Sequence, residues 1–182
     1  MLSATTTASA GFPWLLPQNT TPTVGGTKDK GAINDFTNAF KDAVSRLDNE
    51  DCAKLFGGKD AALKALFGAN YAYRDLGNRK YDADTQTVKV VGAATYSNTN
   101  PPSVYINTYG PFRNTTLLVM TPSGAKSITV DFGTRLGGAQ FGALLLLHEL
   151  GHLTGVFKPD AGNDQLNRSY TQQVQDACFK KK

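Results

Sequence analysis

The segment Gly137–Phe157, with the sequence GGAQFGALLLLHELGHLTGVF, decides the fold. Its four consecutive leucines, Leu144–Leu147, point to all sides of a helix. A helix that is apolar all round has to be buried, so the segment predicts a helix enclosed on most sides. Gly155 is well placed to end this helix, because glycine readily adopts the left-handed conformation at helix C-termini.

Residues 148–152 of this helix read His-Glu-Leu-Gly-His. Positions four apart on a helix lie about 40° apart in projection and about one turn apart in height, so both imidazoles converge on one point. A zinc ion with nitrogen bonds of about 2.0–2.1 Å can bridge them. Glu149 lies beside that point, where a base must be to take a proton from metal-bound water. The pattern therefore predicts a Zn²⁺ site held by His148 and His152, with Glu149 as general base.

Histidine and glutamate are scarce in the chain, which has two of each. Both histidines, His148 and His152, are in the motif, and Glu50 is the glutamate outside it. The alternative is an accidental grouping of these side chains on a buried helix. That grouping would cost free energy unless every polar group were paired, so the pattern favours a functional site.

The stretch Leu144–Gly155 resembles the zincin metallopeptidases, and His152-Leu-Thr-Gly155 resembles the metzincin extension. In that extension a glycine turns the chain so that a third ligand can return to the metal. The resemblance implies a zincin-like fold and a peptidase that cleaves peptide or protein substrates with metal-activated water. The metzincin pattern places a histidine three residues after the glycine, but here that residue is Lys158, and a protonated lysine cannot bind zinc.

The third metal ligand must therefore come from another position. No glutamate follows Glu149 and no third histidine exists, which leaves aspartates and a thiol: Asp160, Asp164, Asp176, Asp131 and Cys178. We favour Asp160, since it follows the Gly155 turn closely and a carboxylate is a sound zinc ligand. Some metzincin-like peptidases use an aspartate at the returning position. The alternative is that Asp160 only forms a turn hydrogen bond.

Tyr170 is a second candidate for the chemistry, and it follows from the resemblance alone. Several metzincin-like enzymes place a tyrosine after the third ligand, where its hydroxyl stabilises the oxyanion of the tetrahedral intermediate. Tyr170 lies ten residues after Asp160. The alternative is that Tyr170 packs against the C-terminal helix.

The remaining apolar patterns predict an α+β fold. Phe36, Phe40, Val44 and Leu47 recur at helical spacing, and further helices are predicted over Lys59–Phe67 and Leu166–Phe179. Four segments rich in Val, Ile, Thr and Tyr predict strands of one small mixed sheet: Thr87–Ala94, Ser103–Thr108, Thr115–Met120 and Ser127–Phe132. Residues 1–28 lack apolar periodicity and predict a disordered or loosely docked arm, followed by a zincin-like metallohydrolase domain over residues 29–182.

The charge pattern and the apolar runs exclude two classes of partner. The net charge is +4, but the basic residues are scattered, and their one run is Lys180–Lys182 at the C-terminus. We therefore expect no nucleic-acid binding. No apolar stretch reaches the roughly 18 residues that a membrane span needs. We expect a monomer without a membrane span, and no secretory signal is recognisable in the first 20 residues.

The two cysteines, Cys52 and Cys178, allow two interpretations. A disulfide would clip the N-terminal helical part to the C-terminus, whereas the alternative is two buried free thiols. We favour the bridge, which predicts a secreted or cell-surface protein.

A rival hypothesis keeps the metal and drops the catalysis. In it the chain is a non-catalytic zinc-binding or partner-binding domain, or a module of a larger surface or toxin polypeptide. Lys158 at the expected ligand position favours this hypothesis. Glu149 argues against it, because a structural zinc site needs no general base.

Overall fold

The structure is a computed structural model, and it describes residues 20–77, 79–82, 87–112, 116–121, 123–129 and 136–180. The helices are α1 (Lys30–Arg46), α2 (Glu50–Leu55), α3 (Lys59–Gly68), α4 (Gly138–Leu153) and α5 (Asp164–Cys178). The strands are β1 (Val24–Gly25), β2 (Asn70–Arg74), β3 (Arg79–Asp82), β4 (Thr87–Val90), β5 (Ala93–Tyr96), β6 (Ser103–Asn107), β7 (Thr116–Thr121) and β8 (Gly124–Thr129). The fold is α+β, as the sequence predicted.

The main sheet has the strand order β1-β2-β6-β5. Strands β1, β2 and β6 are parallel, and β5 runs antiparallel to β6 at the edge. The other described strands form two separate hairpins, β3-β4 and β7-β8. The prediction of one sheet was therefore wrong, although the main sheet is small and mixed as expected.

The predicted strand Thr87–Ala94 divides into two strands that belong to different sheets. β4 pairs with β3, and β5 pairs with β6. Residues 91–92 separate the two strands, and a Cβ added at Gly92 would lie 2.9 Å from Cδ1 of Leu145 on α4. Glycine at this position therefore lets the chain pass close to α4 between the two strands.

The predicted helices are present with small shifts at their ends. The Phe36–Leu47 pattern lies on α1, Lys59–Phe67 on α3, and Leu166–Phe179 on α5. Helix α2 and strands β1, β2 and β3 were not predicted. Residues 1–19 of the predicted arm lie outside the described residues, and β1, within its last part, pairs with β2.

Helix α4 packs closely against α1. A Cβ added at Gly142 would lie 2.7 Å from Cβ of Ala39, so the two backbones approach where both side chains are small. On either side of this contact, Phe36 and Phe40 of α1 are fully buried. Each such side chain contributes about 1.5–3 kcal/mol through removal from water.

The sheet covers the helices with its inward face. Tyr71 and Tyr73 of β2 and Val104 and Ile106 of β6 are buried on that face. The hydroxyl of Tyr73 donates to the carbonyl of Ala32 on α1 at 3.0 Å, which satisfies a polar atom within the core. The main sheet and the helices therefore share one hydrophobic core.

A disulfide joins Cys52 of α2 to Cys178 at the end of α5, with an S–S distance of 2.06 Å. The predicted bridge is therefore present. Arg46 adds to this attachment, because its Nη1 donates to the Cys178 carbonyl at 2.9 Å and its guanidinium lies 3.6 Å from the ring centre of Phe179. The C-terminal end of α5 is held to α1 and α2 by these contacts.

Among the residues that the structure describes, every helix is too short or too polar to cross a lipid bilayer.

Replacement of both Cys52 and Cys178 by alanine should lower the free energy of unfolding by about 4–5 kcal/mol, because the bridge closes a long loop in the unfolded chain. The melting temperature should fall by about 10 °C, as measured by calorimetry. Wild-type protein in reductant should match the double variant, and the double variant should not respond to reductant. Equal melting temperatures for all samples would contradict this role of the bridge.

Candidate metal centre

The His-Glu-Leu-Gly-His motif, residues 148–152, lies in the C-terminal half of α4 and is largely buried. His148 is 4% exposed and Glu149 is 5% exposed, while His152 is partly buried. The helix ends at Leu153, and Gly155 follows with a φ of +73°. The left-handed conformation of Gly155 reverses the chain, as the sequence predicted.

After this reversal the chain folds back over α4 at Gly151. The N–H of Phe157 donates to the carbonyl of Gly151 at 2.9 Å, and a Cβ built on Gly151 would overlap the Phe157 ring. Glycine is therefore required at position 151 for this packing. The buried Phe157 ring fixes the start of the loop that carries Asp160 back to the imidazoles.

Three side chains, those of His148, His152 and Asp160, form a triangle at this place. Nε2 of His148 lies 3.1 Å from Oδ2 of Asp160 and 3.3 Å from Nε2 of His152. Nε2 of His152 lies 3.5 Å from Oδ1 of Asp160. Ligand atoms at the corners of a tetrahedron, each about 2.0–2.1 Å from zinc, are about 3.3 Å from one another. The three residues form a cluster that could bind a metal ion.

The charges around the triangle affect each ionisable group differently. Partial burial raises the pKa of Asp160, but the hydrogen bonds from His148 and His152 outweigh it and hold that pKa well below its usual range. Burial lowers the pKa of His152, but the hydrogen bond to Asp160 and the charge of Glu149 raise it overall. Asp160 is therefore a carboxylate at neutral pH, which is the form that binds a metal.

Helix α5 provides partners for two of the three cluster residues. Nδ1 of His148 lies 3.1 Å from Oγ1 of Thr171, and Nδ2 of Asn167 donates to Oδ2 of Asp160 at 3.0 Å. When Nδ1–H of His148 donates to Thr171, the lone pair of Nε2 faces the triangle. Such outer partners orient metal ligands and increase their basicity.

Glu149 lies next to the triangle and is held by the sheet. Its Oε2 accepts a hydrogen bond of 2.7 Å from Oγ1 of Thr95 on β5. Burial raises the pKa of Glu149, and the charge of His148 and the bond from Thr95 oppose this effect in part. The carboxylate thus has one fixed oxygen and one that is not used by Thr95.

A cleft of about 1140 Å³ opens onto these residues. Its walls are formed by residues 90–97 around β5, by one side of α4, and by the loop at residues 157–162. Ligand pockets typically measure about 300–1,000 Å³, so the cleft is large enough to hold a ligand beside the three side chains.

The other candidates for the third ligand do not join the triangle. Asp164 lines the cleft but is not part of the cluster. Asp176 accepts from Lys180 at 3.0 Å, and Cys178 is in the disulfide. Asp131 lies outside the described residues. Among the described candidates, the structure brings Asp160 to the two imidazoles.

Tyr170 is near the centre but is engaged in packing. Its ring stacks on Phe157 with the centroids 4.2 Å apart, and it lies 6.1 Å from the ring of His152. Its hydroxyl oxygen accepts from the N–H of Lys158 at 3.2 Å. Of the described residues, those that line the cleft do not include Tyr170. These contacts favour packing, and its proposed role at the oxyanion stays a prediction.

Three polar residues at this site, Thr95, Asn167 and Thr171, were not predicted from the sequence. Asn167 and Thr171 are four apart on α5 and share a face with the buried Val174, so helical spacing could have indicated the direction in which they point. Thr95 lies one residue beyond the predicted strand Thr87–Ala94, and its partner depends on the sheet register, which the sequence does not carry.

Comparison of the chain with models of protein families, with curated proteins and with solved structures gave no match.

Replacement of Asp160 by alanine should weaken metal binding by more than about 100-fold, since it removes a direct ligand where loss of an outer partner alone costs about 10–100-fold. Titration of the chelator-treated protein with Zn²⁺ and Co²⁺ against a competing chelator measures this change. Asp164→Ala is the matched control, because Asp164 lines the same cleft outside the triangle. Equal losses in both variants would contradict the assignment of Asp160.

Thr171→Val should weaken metal binding by about 10–100-fold, because His148 loses the partner that fixes its orientation. The same chelator competition measures it. Thr171→Ser keeps the hydroxyl and should bind metal almost as tightly as wild type. If valine and serine behave alike, the hydroxyl of Thr171 has no part in metal binding.

Proposed function

We propose that the chain is a zinc-dependent peptidase of the zincin type, metzincin-like in its helix and turn, with Asp160 as third ligand. The observation that carries the proposal is the triangle of His148, His152 and Asp160, with the buried carboxylate of Glu149 beside it. Three protein ligands and an open position are typical of catalytic zinc sites, whereas structural sites have four protein ligands.

The donor set supports zinc as the metal. Two imidazole nitrogens and one carboxylate oxygen suit zinc, while magnesium and calcium prefer oxygen alone. The two imidazole nitrogens are 3.3 Å apart, and each lies 3.1–3.5 Å from the nearer oxygen of Asp160, close to the edges of about 3.3 Å in a tetrahedral shell. Zinc held by His148, His152 and Asp160 would supply a polarising charge for the substrate carbonyl and lower the pKa of a water ligand towards about 7.

Glu149 supplies the proton transfers in this proposal. Its carboxylate accepts a proton from the water that attacks the scissile carbonyl, and it then delivers this proton to the leaving amine. Its burial excludes bulk water, which strengthens electrostatic interactions at the site. Tyr170 is proposed to stabilise the oxyanion through its hydroxyl proton, which the bond from Lys158 leaves free because the tyrosine is the acceptor there.

The substrate would bind as an extended strand on the outer edge of β5, with which no described strand pairs. The N–H of Asn107 donates to the carbonyl of Gly92, so these two residues form a hydrogen-bonded pair of the antiparallel ladder. Such pairs alternate along the strands, so Ala94 and Tyr96 also bond to β6. The main-chain groups of Ala93 and Thr95 then point to the opposite edge, where a peptide can pair with them.

A non-catalytic zinc domain is the second candidate. The bond from Thr95 to Glu149 favours it, because it gives the carboxylate a hydrogen-bonded place in the core without any chemical role. Activity decides between the two candidates, since both hold the metal through the same residues.

The setting of the protein is also a proposal. Disulfides persist in oxidising compartments, so the bridge between Cys52 and Cys178 supports a secreted or cell-surface protein. One copy of the chain contains all three proposed ligands and the base, so a monomer is sufficient for the site.

Glu149→Gln should lower kcat on a peptide library by a factor of about 10² or more, because glutamine cannot accept the proton of the attacking water. Zinc content, measured by atomic emission, should stay at the wild-type level. His152→Ala should lose both zinc and activity.

Glu50→Gln is the matched control, since Glu50 is the other glutamate and forms an exposed ion pair with Lys54. It should leave both readouts unchanged. Wild-type kcat in Glu149→Gln would refute the role of Glu149. A zinc-loaded wild type that cleaves no peptide would support the non-catalytic candidate.

A further inference from the structure

Thr95 connects the proposed base to the edge of the sheet. Its Oγ1 donates to Oε2 of Glu149 at 2.7 Å. Within the described part of the chain, no other side chain donates a hydrogen bond to this carboxylate. A single side-chain hydrogen bond, from Thr95 on β5, thus links the sheet to the buried carboxylate of Glu149 on α4.

The sheet register explains why Thr95 points at α4. Thr95 lies opposite Val104 of β6, and Val104 is fully buried on the inward face of the sheet. Residues directly opposite each other in a ladder share a face, so the side chain of Thr95 points inward as well. Ala94 and Tyr96 point outward, and a shift of one residue would remove the hydroxyl from Glu149.

The bond from Thr95 leaves the two carboxylate oxygens unequal. Oε2 accepts the bond from the hydroxyl, whereas Oε1 accepts none from Thr95, and we assign to Oε1 the proton from the attacking water. Threonine is branched at Cβ and has few side-chain conformations, so its hydroxyl is a rigid anchor. A carboxylate fixed in this way is in the reactive orientation for a larger fraction of the time, which raises the rate of proton transfer.

Under the proposed function, the main chain of Thr95 would also bind the substrate. Its N–H and C=O point to the outer edge of β5, because the ladder bonds to β6 are made by Gly92 and the residues at alternate positions after it. A peptide paired with this edge would contact Thr95 through its backbone. The same residue would then hold the substrate with its main chain and the base with its side chain.

We propose that Thr95 is the positioning residue for Glu149, and that it aligns the base with a peptide bound to the edge of β5. This inference rests on the proposed function. It assigns to Thr95 an effect on the chemical step and none on metal binding, because Thr95 is not part of the ligand triangle.

The test compares Thr95→Val with Thr95→Ser in the zinc-loaded protein. Valine has nearly the same shape but no hydroxyl, so kcat should fall by about 10–100-fold, the effect of a lost hydrogen bond to a charged group. KM and zinc affinity should stay within about twofold of wild type, since the substrate edge and the ligands are untouched. Serine restores the hydroxyl and should recover most of kcat.

Thr99→Val is the matched control. Thr99 lies in the turn between β5 and β6, and its hydroxyl contacts Tyr96 and Ser103 and does not reach Glu149. Thr99→Val should retain the wild-type kcat. This should hold even if Thr99→Val and Thr95→Val lower the melting temperature equally. If Thr95→Val does not fold, Thr95→Ala replaces it, with the same expected results.

Crystal structures of zinc-loaded wild type and Thr95→Val give a readout that does not need activity. The carboxylate of Glu149 should rotate away from its wild-type position in the valine variant and keep that position in Thr95→Ser. An unmoved carboxylate, or a wild-type kcat in Thr95→Val, would overturn the positioning role. A wild type that cleaves no peptide would instead show that the proposed function fails, and the crystal structures would still decide whether Thr95 holds Glu149.

Discussion

The burial of α4 on nearly every side is the constraint on which the rest of the structure depends. An apolar helix could be buried without further conditions, but His148 and Glu149 are polar and need partners when they leave water. Each finds one on a different element: Thr171 on α5 contacts His148, and Thr95 on β5 contacts Glu149. In the described residues no buried side-chain nitrogen or oxygen lacks a hydrogen-bond partner. The sheet and α5 therefore complete the polar contacts of one helix as well as its hydrophobic core.

The loop after α4 brings Asp160 to the two imidazoles, two residues beyond Lys158, where the proposed metzincin-like pattern would place the third ligand. Phe157 occupies the space over Gly151, and the backbone of Lys158 is held by Tyr170. Asp160, two residues after Lys158, is the residue of this loop whose side chain reaches the imidazoles. The chain thus passes a buried aromatic ring before it returns to the histidines.

The sequence predicted the parts of the site that depend on local geometry. Helical spacing brings His148 and His152 together, and a glycine turn ends the helix, so both could be read from a short segment. The division of the strands could not be predicted, because β4 and β5 pair with different strands and Gly92 between them lies against α4, which is distant in sequence. Thr95 was missed for the same reason, since threonine is common in strands and its role comes from its register opposite Val104.

Helix α5 connects the candidate metal site to the disulfide. Asn167 and Thr171 contact the cluster, and Cys178 is bonded to α2 at the other end of the same helix. Between them Val174 is fully buried, so the helix is anchored along one face. An ion held in the triangle would stabilise only conformations in which this face is docked, and the bridge favours the same conformations. By thermodynamic reciprocity, the constraint that keeps α5 in place would also favour the binding of a metal ion by the triangle, of which neither cysteine is part.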